Sequence, residues 1–344
     1  MFSEDLYFYQ HMNLSSNQFV MRLTALWALS ESGLGGIMHA FKIPFTGFFL
    51  GGFAIVVITL LALNSNKCWR DITQATLLVI LIKATASPQS PLMAYIAVAF
   101  QGFAGALIFS LIRNKRLAAM CFGCIALFES AVQKFLVTTI IFGNSIWEAM
   151  DLFFMSIAKD LSLAPEFSFS LWLIASYTLV YSVWGIIVGN WASLLPKKMN
   201  AKAPFILDAF RKLKYHNVPA SEQIKRKRVG KYIVTFFMLL FIISTFLMLG
   251  SGHKAIYAIA RTIGALLILF FIINPFVKWL MQLWIDKVKR KQDTKISPLL
   301  NLLPELKNLV TPAMMIARSN SSGWRVYKEF VFALIVLTLF LPEN

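Results

Sequence analysis

Ten side chains stand where a strongly apolar chain has least reason to put them. They are His39, Lys42, Thr46, Lys83, Tyr95, Gln101, Glu129, Gln133, Trp172 and Tyr177. A charge at mid-bilayer costs a few kcal/mol or more, so such residues normally face a partner or a wet cavity. Lys83 and His39 are suited to hold an anion, and Glu129 or Gln133 to exchange hydrogen bonds. Trp172, Tyr177 and Tyr95 offer stacking surface. Together they fit a small solute with a carboxylate or a heteroaromatic ring. Each also has a plainer reading. Lys83 can snorkel to the surface, Glu129 can pair with Lys134 or Lys83, and Trp172 can anchor at the interface. Catalysis has no comparable set, since the chain contains no H-E-x-x-H and no G-x-S-x-G. Cys121 and Cys124 form a C-x-x-C inside an apolar run, where small packed residues are the simpler account than a metal or redox pair. The residues imply no cofactor.

The elements that must position these residues follow from composition. Of 344 residues, 58% are hydrophobic and only 14% charged. A soluble domain holds about 45–50% apolar and about 25% charged residues. The mean hydropathy of +0.67 places the chain among integral membrane proteins. The expected fold class is all-α, a polytopic helical bundle with nine spans near 19–40, 44–63, 72–87, 92–112, 117–142, 169–191, 231–250, 256–281 and 329–341. The first residues lack the basic and short apolar regions of a cleavable leader, so the run near Phe19 reads as a permanent span.

Charge then sets the sides. The net charge is +17. Its basic residues gather at 64–71, 113–116, 196–231 and 285–328, which alternation places on one side, against the acidic connection 143–168. By the positive-inside rule the basic side is cytoplasmic, and the N-terminus with it. Placement in interhelical segments favours anionic lipid or an acidic partner over nucleic acid. The segment from Ile296 carries Leu299, Leu302, Leu303, Leu306, Leu309 and Val310 at helical spacing. Pro298, Pro304 and Pro312 are expected to break it into short helices. Its apolar stripe must be covered by the membrane surface or by another protein.

The first helix carries a row of small residues, Thr24, Ala28, Ser32, Gly36 and Ala40, spaced by four. In lipid, helices associate where small residues let backbones approach, so the row reads as a docking face or as packing within the domain.

That row, the "KIPFTG" loop at 42–47 and the "SPQSPLMAYIAVAFQGFAGAL" run at 87–107 resemble the substrate-binding S components of energy-coupling factor transporters. The end of the chain, with Ala317, Arg318 and Ser319 before a last apolar run, is similar to T components. There an arginine at the end of a coupling helix reaches cytosolic ABC ATPases. The resemblance implies an S-like part at 1–195, a basic cytoplasmic linker at 196–230 and a shortened T-like part at 231–344. It further implies a bacterial cytoplasmic (inner) membrane location, uptake of a vitamin-like solute, and separate ATPase partners. No G-x-x-x-x-G-K-[ST] occurs in the chain itself. T components usually have more spans and two arginine motifs, so a scaffold that recruits partners through its cytoplasmic helices stays open as the alternative.

Overall fold

The computed structural model describes residues 16–35, 38, 46–65, 67–87, 90–160, 168–215, 262–264, 267–323 and 325–341. Among them there is helix and no strand. The α-helices are α1 (Ser16–Leu29), α2 (Thr46–Leu63), α3 (Cys68–Ala86), α4 (Leu92–Leu111), α5 (Lys115–Phe142), α6 (Ser145–Asp160), α7 (Phe169–Ser193), α8 (Leu195–Tyr215), α9 (Asn274–Asn320) and α10 (Arg325–Phe340). Two π-helical turns, Ser30–Leu34 and Ile268–Ile273, adjoin α1 and α9.

Four described helices, α2, α4, α5 and α7, are long and apolar enough to cross a membrane. The chain is thus all-helical with four candidate spans among the described residues. The expected span at 231–250 lies outside the described residues, and that at 256–281 lies partly outside them.

Two compact units form, each assembled from separated stretches of the chain. One takes Met1–Ala131, Leu179–Val218 and Trp279–Asn344, and the other takes Val132–Thr178 and Pro219–Lys278. In the first, α2 is apolar all round and buries Ala54 through Ala62 almost completely, as a central helix must. It packs with α1, α3 and α4. Asn114 starts α5 by accepting the backbone N–H groups of Arg116 and Leu117 at 3.1 and 3.2 Å.

Several expectations are corrected. The prolines do not cut the segment after Asn274 into short helices. α9 is a single helix of 47 residues containing Pro298, Pro304 and Pro312. Each proline removes one backbone donor, and the residues between prolines keep enough bonds to carry the helix through. Its apolar stripe is also covered in part by the chain itself: Leu299, Leu302 and Leu306 are buried, while Leu303, Leu309 and Val310 are half-buried.

The basic stretch expected as a linker is, through Tyr215, the helix α8, which packs on α10. Finally, the last apolar run ends beside the start of α1. Arg22, in the second turn of α1, donates to the carbonyls of Thr338 and Leu341 at 3.0 and 2.6 Å. The last carbonyls of a helix have no intrahelical donor, and a guanidinium supplies one with favourable charge. At 16 residues α10 is about 24 Å long, short of the roughly 30 Å hydrocarbon core. Phe332 through Leu339 are buried in protein and not exposed to lipid.

Candidate functional site

The first unit holds a buried polar centre built by α1, α3 and α4. These helices meet closely because small residues allow it. A Cβ added at Gly102 of α4 would overlap the Thr76 side chain of α3, and one at Gly105 would stand 2.7 Å from Ile58 of α2. Against this packing the π-helical turn of α1 presents Glu31. Single π turns inside α-helices are frequent at functional sites.

Lys83 answers Glu31 from the last turn of α3. Its Nζ lies 2.7 Å from Glu31 Oε2, with side-chain exposures of 1% and 5%. The same ammonium stands 3.5 Å from the Ala94 carbonyl and 5.8 Å from the centre of the Tyr95 ring. Tyr95 in turn donates its hydroxyl to the Ser87 carbonyl at 3.1 Å, and the Ser87 and Ser90 hydroxyls are 2.9 Å apart. Lys83 therefore does not snorkel and is not an uncommitted cation. An anionic ligand reaches it only by displacing Glu31 or sharing it.

A second cluster lies where α2, α4, α5 and α7 converge. A Cβ at Gly51 would stand 3.2 Å from Gln101 Nε2, 2.7 Å from Leu127 and 3.8 Å from the Ser130 hydroxyl. Gln101 is 3% exposed and its Oε1 has no partner. Glu129, beside Ser130 on α5, also has a buried oxygen without a partner. A buried acceptor left unsatisfied costs about 1–3 kcal/mol, so such groups call for a reason, and a donor from a ligand is one. Phe48 of α2 stacks on Trp184 of α7 at 4.9 Å and meets Tyr181 edge-on at 5.3 Å. Among the described residues no group of three metal-ligating side chains occurs.

The expected site residues thus fall into three groups. Lys83 and Tyr95 come together, and Gln101 sits on the Gly51 face; Glu129 and the half-buried Thr46 belong to the same unit. Gln133, Trp172 and Tyr177 belong to the second unit. There Lys134 Nζ approaches the Tyr177 hydroxyl at 3.5 Å, Gln133 is half-buried, and Trp172 is 62% exposed. His39 and Lys42 lie outside the described residues, with Gly36 and Ala40 of the small-residue row.

Of that row, Thr24 and Ala28 are buried by the chain's own helices, and the Thr24 hydroxyl turns back to the Val20 carbonyl at 2.7 Å. Ser32 is half-buried and donates to the Ala28 carbonyl at 2.6 Å. Ala317 is buried, Ser319 donates to the Ile316 carbonyl at 2.9 Å, and Arg318 projects exposed from the end of α9.

The expected site omits Glu31 as Lys83's partner, and Phe48, Tyr181 and Trp184 entirely. Tyr181, Trp184 and Gly185 fall at i, i+3 and i+4, a spacing that would have put them on one face.

The second unit carries one well-defined electrostatic device. Asp151 of α6 accepts the Ser170 backbone N–H at 2.7 Å and the Ser168 hydroxyl at 2.7 Å, closing the start of α7 from a neighbouring helix. These bonds, the backbone N–H first, hold its carboxyl below the ordinary 3.8. Its contribution is present above the ordinary value and is lost as pH falls through the depressed one. Acid titration followed by hydrogen exchange at the Ser170 amide is expected to show α6 leaving α7 only at pH below 3.8, and Asp151→Asn to open it at neutral pH.

No family model, characterised protein or solved structure matches the chain. Function therefore rests on the site itself.

Proposed function

We propose that this chain captures a small solute within the membrane as a subunit of an importer of the energy-coupling factor type. Its first part would act as the S-like unit, its last part as a reduced T-like unit, and separate cytosolic ATPases would supply the energy. In this reading the chain crosses the membrane several times, with a cytoplasmic N-terminus and a bacterial inner-membrane location. The observation that carries it is the buried, unpartnered oxygen of Gln101 beside Gly51, next to an aromatic stack, with a second such oxygen on Glu129 in the same unit. A solute with N–H or O–H donors would satisfy them, and Phe48, Tyr181 and Trp184 suit a flat ring. Exposed Arg318 at the end of a long helix supports the coupling part of the reading.

One purification tests both parts. Wild type, Gln101→Leu and Arg318→Glu are drawn from the native membrane, and co-purifying proteins and extracted small molecules are identified by mass spectrometry. Wild type is expected to carry ATPases and a solute. Gln101→Leu should keep the ATPases and lose the solute by about tenfold or more, the equivalent of one buried hydrogen bond. Arg318→Glu should do the reverse, because an exposed side chain can change sign without disturbing the fold. Were wild type to bring neither, the scaffold reading would replace this one.

A further inference from the structure

The helix α8 begins two residues after α7, a candidate span, ends. It therefore starts at a membrane surface. Asn200, Ala203, Pro204, Leu207, Asp208 and Arg211 line one side of a groove of about 290 Å³, closed by Phe340 of α10. We infer that this groove is a binding site for one anionic phospholipid with a hydroxylated headgroup, of the phosphatidylglycerol class.

Three features of the groove select that occupant. Its floor is apolar, from Ala203, Leu207, Pro204 and Phe340, and suits the start of an acyl chain whose remainder stays in the bilayer. At the low end of small-molecule site volumes, it has room for a headgroup and that first stretch. Arg211 supplies a forked donor for a phosphate. The second feature is the helix's charge: α8 carries Lys197, Lys198, Lys202, Arg211 and Lys212 against Asp208 alone on the described side chains. Lys212 offsets the lining carboxylate of Asp208 at 2.8 Å, and Arg211 is the basic residue that lines the groove.

The third feature comes from Pro204. Proline has no N–H, so the carbonyl of Asn200, four residues earlier, lacks its helical donor. Asn200 and Pro204 both line the groove. A headgroup hydroxyl would give that carbonyl the donor it lacks. A choline headgroup has no donor to offer.

Lipid-stripped protein in detergent is titrated with phosphatidylglycerol, phosphatidylethanolamine and phosphatidylcholine, with bound lipid counted by native mass spectrometry. Phosphatidylglycerol is expected to bind about tenfold tighter than phosphatidylcholine, as for one charge-assisted bond. Arg211→Glu should abolish that preference. Lys202→Glu, exposed and nearly opposite the groove on α8, should retain it. Equal weakening by both variants would mean diffuse surface charge and overturn the site. So would equal binding of phosphatidylethanolamine, or full competition by glycerol phosphate, which has no acyl chain. Circular dichroism melting of both variants excludes misfolding as the cause. Failure here leaves the solute reading untouched, because neither Gln101 nor Arg318 takes part.

Discussion

Lys83→Ala is expected to lower the stability of the folded chain by about 3–5 kcal/mol. The mechanism is the stranded partner. Lys83 and Glu31 are both buried at 2.7 Å, and with the ammonium gone Glu31 stays in a low-dielectric interior with its charge uncompensated. Glu31→Ala should do comparable damage by stranding the ammonium, softened by the Ala94 carbonyl and the Tyr95 ring. The double variant Glu31→Met/Lys83→Met removes both charges and fills the volume. Buried ion pairs replaced by packed apolar residues are often neutral or better, so the double variant should recover to within about 1 kcal/mol of wild type. Thermal unfolding in detergent, followed by tryptophan fluorescence, measures all four proteins. A cost below about 1 kcal/mol for Lys83→Ala would show that the ammonium reaches water in the unsubstituted protein.

The same series separates structure from binding. Should the double variant unfold normally and still carry solute, the pair serves to pin α1, α3 and α4 together. Should it unfold normally and lose solute, the pair itself meets the ligand. In that case Tyr95, which faces the ammonium, should matter equally.

Much of this arrangement can be read from residue types. Helical class and membrane character follow from apolar runs too long and too numerous for a soluble core, and α2, α4, α5 and α7 fall where the runs are. Lys83 stands out because an ammonium among apolar neighbours must have a partner. Which partner is a different matter. Glu31 and Lys83 are 52 residues apart, and the π turn that swings Glu31 into place has no residue signature of its own. Proline spacing misleads for a related reason. The cost of a proline is local, whereas the survival of α9 depends on the turns between Pro298, Pro304 and Pro312. The burial of α10 was equally hidden. A short apolar run reads alike whether lipid or protein surrounds it, and only the Arg22 contact with Thr338 and Leu341 tells them apart. The aromatic stack escaped because Phe48 and Trp184 look like ordinary membrane aromatics until two glycine-bearing helices bring them together.

That approach of helices sets the other large effect. Gly185→Ala is expected to cost about 1–3 kcal/mol, and Gly185→Leu more. A Cβ at Gly185 would fall on the Gly123 carbonyl of α5, and one at Gly189 on the Ala119 carbonyl. The two positions repeat at i, i+4 on both helices, as in small-xxx-small packing. Backbone stands on both sides of the contact, so no side chain can turn aside and the helices must part. Parting them draws Trp184 off Phe48, next to the Gln101 face, so solute binding should fail together with stability. Gly264 provides the contrast, since an added Cβ there meets nothing within 4 Å. Gly264→Ala should be neutral, or stabilising by about 0.5–1 kcal/mol through helix propensity. Equal responses at Gly185 and Gly264 would mean that α5 and α7 do not touch at backbone distance, and the aromatic stack would then need another cause.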